Sequence, residues 1–242
     1  MTPAPQDKSD LSCQPAPQPN NPAYCTAGFE RLLAAKNGTG AVSREQVVLI
    51  HGLGAPKLAM SAMGWKLQKM GYQVCNWGYS STRDDVQSHA QKLVGLLEQF
   101  SRDPNVAGIH LVTHSMGGIV ARVALATQAF PKLGRMVMLA PPNAGSHAAR
   151  KLAPVLGWLW KPLSQLSDDP QSFVNRLSHF KQLNDIEFAI IEAAPDAVIS
   201  PSSVRLVGQC DHRVIRSRHG TLPWNAEAIR CTANFLKHGQ LL

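Results

Sequence analysis

No apolar run in this 242-residue chain stays unbroken for the roughly 18 residues that a membrane span needs, so no integral membrane segment is expected. The N-terminal MTPAPQDKSD lacks a basic stretch followed by an apolar core. No secretory signal reads out, and the expected location is cytoplasmic. Cysteine is sparse and widely spaced: the five lie at 13, 25, 75, 210 and 231, an odd number without a C-x-x-C. Neither a disulfide framework nor a zinc site follows from that pattern. There is no P-loop, no G-x-G-x-x-G, no metal-ligand spacing and no aromatic–basic RNA motif. Hence no metal, no organic cofactor and no nucleic-acid partner is expected. Internal repeats are absent. A net charge of +8, thinly spread, supports at most weak association with anionic surfaces.

What is present is enough for a core. Hydrophobic residues make up 44% of the chain and charged residues 17%, which excludes a disordered polypeptide. Residues 1–23 hold six of the 17 prolines and read as a flexible tail, leaving 24–242 as the folded domain. From residue 46 the pattern becomes regular. QVVLI (46–50), YQVCNWGY (72–79), VAGIHLVT (106–113), RMVMLA (135–140), FAII (188–191) and HRVIRS (212–217) read as strands. Helical spacing occupies 58–70, 84–100, 116–128 and 224–238. Strands apolar on both faces, alternating with helices, predict an α/β fold: a mostly parallel sheet of about six strands covered on both sides. The stretch 141–185 breaks the rhythm and is too long for an ordinary connection, so it reads as an inserted cap above the sheet.

The strongest local signal is Thr113-His114-Ser115-Met116-Gly117-Gly118, between an apolar strand and a helix. A chain that reverses this sharply forces its central residue into a strained conformation and projects that side chain above the sheet. Small neighbours prevent clashes across the turn, and Gly117 meets that need.

With this motif in view, the sequence resembles the α/β-hydrolase fold, in particular its small esterase and lipase branch. HGLG (51–54) resembles the oxyanion loop of those enzymes, THSMGG (113–118) their nucleophile elbow, and APPNAGS (140–146) the segment from which their cap rises. The resemblance covers roughly residues 45–238. It implies a Ser–His–acid hydrolase that cleaves carboxylic esters, with a small-molecule or lipid ester as substrate. The chain departs from the pattern at Thr113, where glycine is usual. Its short N-terminal part also leaves room for few or none of the first, antiparallel strands of larger members.

The residues themselves support the same chemistry. A serine hydroxyl needs a neighbouring base. His114 is next to Ser115 in sequence, but adjacent side chains on a strand point to opposite faces, so it reads as packing. His219 follows the last strand and stands at the right sheet edge to serve as the base. For the acid, Asp196 comes soon after FAII at that same edge, and D-A-V-I (196–199) resembles the family's acid-bearing turn. Asp211 immediately precedes HRVIRS, at the opposite end of the strand that delivers His219 and roughly 20 Å away. The expected triad is therefore Ser115, Asp196 and His219. Two N–H donors must meet the tetrahedral oxyanion, and the matching positions are Met116 and Leu53. The Trp158 and Trp160 segment (152–163) is expected to wall the acyl site as well as pack. Two rivals remain on sequence: the same triad serving a thioesterase, amidase or acyltransferase, and a non-catalytic hydrolase-like binding protein.

Overall fold

The computed structural model describes residues 44–177, 183 and 186–242. The expected tail over 1–23 lies outside the described residues, as do the first residues of the expected domain and a few positions of the expected cap.

The apolar runs form six strands: β1 (Arg44–Ile50), β2 (Gln73–Trp77), β3 (Val106–His114), β4 (Leu133–Leu139), β5 (Phe188–Ala194) and β6 (Asp211–Arg216). They pair in the order β2-β1-β3-β4-β5-β6, and every pairing is parallel. The reason is legible in β1. Val48 and Ile50 enter one core while Val47 and Leu49 enter the other, so both faces of the strand must be covered.

Helices supply that cover. On one face lie α2 (Val86–Arg102) and α3 (Met116–Thr127); on the other lie α1 (Ser61–Lys69) and the closing helix α8 (Ala226–His238). The stripe Val86, Ala90, Leu93 and Leu97 of α2 is fully buried, as its spacing requires. Asp85 caps this helix rather than sitting inside it: its Oδ1 accepts the Ser88 N–H at 2.7 Å. The closing helix also starts later than its pattern suggests. A 3-10 helix (His219–Trp224) comes first, and Asn225 then caps α8 by accepting from the Glu227 and Ala228 N–H groups at 2.8 and 3.1 Å. At the far end buried Arg135 ties α8 to the sheet. It donates from Nε to Glu187 Oε2 at 2.7 Å and from Nη1 to the Leu236 carbonyl at 3.0 Å.

Between β4 and β5 the described residues carry three short helices, α4 (His147–Leu156), α5 (Pro162–Gln165) and α6 (Phe173–Arg176). A further turn of helix, α7 (Pro201–Val204), precedes β6. The α4 segment shows solvent an apolar side that includes Leu152, Val155, Trp158 and Leu159. Its base is fixed to the loop after β2: the Lys161 N–H donates to the Thr82 carbonyl at 3.2 Å, and Gln165 Oε1 accepts the Val86 N–H at 2.8 Å. No helix among the described residues is long and apolar enough to cross a membrane.

Candidate active site

The order β2-β1-β3 means that the chain leaves β1 to one side first and returns on the other. A parallel sheet opens a crevice outside the strands' C-terminal ends at such a reversal. The loops that follow β1 and β3 therefore meet at this crevice, and they are the two carrying HGLG and THSMGG.

Ser115 joins β3 to α3 with φ 52° and ψ −125°, a left-handed conformation that side chains rarely adopt and that stores about 1–3 kcal/mol. Close approach sets the flanking residues. A Cβ on Gly117 would stand 2.4 Å from the Ile50 carbonyl oxygen, and one on Gly52 would stand 3.0 Å from Ser115 Cβ. The loop after β1 thus lies directly against the serine. Thr113 is fully buried, and Gly118 leaves space beside it: a Cβ there would be 3.3 Å from Thr113 Oγ1.

Asp196 and His219 come together although 23 positions apart, with His219 Nδ1 at 2.8 Å from Asp196 Oδ2. Asp196 Oδ1 accepts from the Val198 and Ile199 N–H groups at 2.7 and 3.1 Å. Burial works against the Asp196 carboxylate. The His219 hydrogen bond and charge, with the two backbone donors, outweigh it and hold the carboxyl below its ordinary range. An ionised carboxylate only accepts, so Nδ1 is the donor in this pair, which in the neutral ring leaves the lone pair on Nε2. Asp211 stands elsewhere, at the first position of β6, where its Oδ2 accepts the Leu241 N–H at 2.7 Å.

Several residues that spacing could not flag hold these groups. His114 is not inert packing: its Nε2 donates to the His219 carbonyl at 3.0 Å, with the two rings 4.9 Å apart. Burial, reinforced by the neighbouring His219 charge, pushes the His114 pKa down to about 3, so it remains a neutral donor. Ser146 Oγ donates to the Val198 carbonyl at 2.7 Å, and His147 Nε2 donates to the Ala197 carbonyl at 2.9 Å. The start of the α4 segment thereby braces the Asp196 turn.

The two tryptophans separate. Trp160 is half-buried and its ring covers Gly54, where a Cβ would meet Cη2 at 3.2 Å. Trp158 is 82% exposed, with its indole N–H donating to the Val155 carbonyl at 3.1 Å. Only Trp160 reaches the HGLG loop by these contacts. Leu53 is half-buried in that loop, and Met116 is buried in the first turn of α3, where backbone N–H groups have no partner within the helix.

The model of the alpha/beta hydrolase family matches residues 47–231, a span that includes Ser115, Asp196, His219 and the HGLG loop. Solved structures agree in fold. The mature lipase BlEst2 of Bacillus licheniformis superposes with a TM-score of 0.57 at 17% identity, covering 77% of this chain and 89% of that one. A metagenomic carboxyl esterase gives 0.60 at 15% identity, over 87% of this chain and 69% of that one. Lipase B of Aspergillus fumigatus gives 0.59 at 16% identity, over 98% and 63%. No curated protein matches in sequence.

Proposed function

We propose that this chain, which belongs to the alpha/beta hydrolase family, is a serine hydrolase that cleaves carboxylic esters through an acyl-enzyme. The observation that carries the reading is the 2.8 Å His219–Asp196 contact at the sheet edge that also bears the strained Ser115. The lipase and esterase neighbours support the ester class.

In this reading Ser115 Oγ attacks the ester carbonyl carbon while His219 Nε2 takes the hydroxyl proton. Asp196 keeps the other ring nitrogen protonated and balances the imidazolium. The carbonyl oxygen, now negative, is met by the N–H groups of Leu53 and Met116. The latter opens α3, whose N-terminal dipole favours negative charge. Collapse breaks the bond to the alcohol oxygen, which leaves with the proton from His219. Water then attacks the acyl-enzyme, again giving a proton to His219, and the carboxylic acid departs with Ser115 restored. Every step runs on this chain's own residues.

Turnover of 4-nitrophenyl esters from acetate to octanoate tests the activity, and a native protein inert on all of them would end the proposal. The same series reads the acyl site. Each CH₂ buried against an apolar wall contributes about 0.8 kcal/mol, or about fourfold in rate. Trp160→Ala is expected to lower the octanoate-to-acetate ratio of kcat/KM by about fourfold or more. Trp158→Ala, at the exposed position, is expected to change that ratio less. Equal losses at every chain length for Trp160→Ala would limit that residue to packing.

A further inference from the structure

We infer that Tyr79 and Ser81, on the loop after β2, are positioning residues that aim the Leu53 N–H at the reacting oxygen. This rests on the reading of Leu53 as an oxyanion donor. The HGLG loop is gripped at both ends. The Tyr79 hydroxyl donates to the His51 carbonyl at 2.8 Å, and the Gly54 N–H donates to Ser81 Oγ at 3.0 Å. These two bonds bracket the Gly52-Leu53 unit, so the peptide that presents the Leu53 N–H has little freedom to rotate.

The grip is built from rigid parts. The Tyr79 ring stacks on His51 at 4.4 Å between centroids and on Trp77 at 4.7 Å, and His89 meets its edge at 4.7 Å. Burial pushes the Tyr79 hydroxyl pKa far up, so it remains a proton donor at any working pH. His51 is itself buried, and its own Nδ1 donates to the Gly52 carbonyl at 3.0 Å, which closes the loop start. Ser81 is buried, and its neighbour Thr82 takes the Lys161 N–H at 3.2 Å. The β2 loop therefore connects the oxyanion loop to the base of the α4 segment. A donor that acts only on developing charge must be aligned before the reaction, since misplacement by about 1 Å can cost about 10²-fold in rate.

The test uses Tyr79→Phe, Ser81→Ala and the double variant, each removing single oxygen atoms. With 4-nitrophenyl butyrate, each single variant is expected to lose about tenfold in kcat and the double about 10²-fold, with KM within about twofold. A trifluoromethyl ketone forms a hemiketal in which the Ser115 oxygen bonds the carbonyl carbon and its proton passes to His219. The inhibition constant of that adduct is expected to rise by the factor lost in kcat/KM, which a merely structural role would not produce. Thermal denaturation checks folding, and where the double variant is unfolded at the assay temperature the single ones decide. Unchanged kcat in folded variants, or a kcat loss with unchanged ketone affinity, overturns the inference. Ser115→Ala in parallel separates the two readings. Turnover surviving that change removes the serine mechanism itself, whereas its loss alongside full-rate Tyr79 and Ser81 variants removes only the positioning role.

Discussion

Ser115→Ala is expected to fold and to lose about 10⁴–10⁶-fold in kcat for ester hydrolysis, the scale on which loss of a triad nucleophile acts. Covalent catalysis disappears with the hydroxyl, while the sheet beneath is untouched: Val112 and Leu111, just upstream in β3, are fully buried and remain so. The backbone separates two variants of this position. Alanine must still occupy φ 52°, where its Cβ is strained, whereas glycine enters that region freely. Ser115→Gly should therefore match Ser115→Ala in lost activity yet unfold at the higher temperature. A fluorophosphonate gives an independent reading. Its phosphorus bonds to the serine oxygen with loss of fluoride, so native protein should be labelled and both variants should not. Full labelling of Ser115→Ala would move the nucleophile to another residue. A native protein that takes no label would favour the hydrolase-like binding protein over the enzyme.

Most of the scaffold was legible because parallel strands buried on both faces leave continuous apolar runs. Val47–Ile50 in β1 and 136–139 (MVML) in β4 are such runs. The ends were less clear, since β5 runs on through Glu192, Ala193 and Ala194, and a buried glutamate breaks the pattern that marks a strand. Glu192 is tolerated because its Oε2 meets His212 Nε2 at 3.0 Å on the neighbouring strand, a pairing no single segment reveals. The start of the closing helix at Ala226 rather than 224 follows from the Asn225 cap, which the apolar spacing alone does not register. At the site, residues fixed by local turn chemistry could be read, as at Ser115 and Gly117. Those defined by distant backbone partners could not. His114 looked like packing because its partner, the His219 carbonyl, is 105 positions away. Tyr79 and Ser81 belong to no motif, and their partners in the HGLG loop are 28 and 27 positions distant. The tryptophans show the same limit: Trp158 and Trp160 are alike in sequence context, and only the course of the chain after α4 turns one to the loop and the other to solvent.

Asp196→Asn is expected to lower kcat by about 10³–10⁴-fold near neutral pH, and Asp211→Asn to leave it within about twofold. The size of the first effect follows from the way the turn holds this side chain. One carboxylate oxygen accepts from the Val198 and Ile199 N–H groups, a role that an amide oxygen can keep and an NH₂ group cannot take. The substituted amide would therefore place its oxygen there and turn its NH₂ toward His219. A ring nitrogen facing an NH₂ must accept, so Nδ1 would lose its proton and Nε2 would gain it. The nitrogen that faces Ser115 in the proposed mechanism could then no longer take the serine proton, although the fold and the turn would survive. Asp211 serves a different purpose, accepting the Leu241 N–H at 2.7 Å and the His212 N–H at 2.7 Å near the chain's end. Its exchange should show in thermal stability rather than in turnover. Steady-state kinetics on one ester, with denaturation curves for both variants, reads the two effects separately. Were Asp211→Asn the damaging change and Asp196→Asn the mild one, Asp196 would leave the triad and the His219 assignment would go with it.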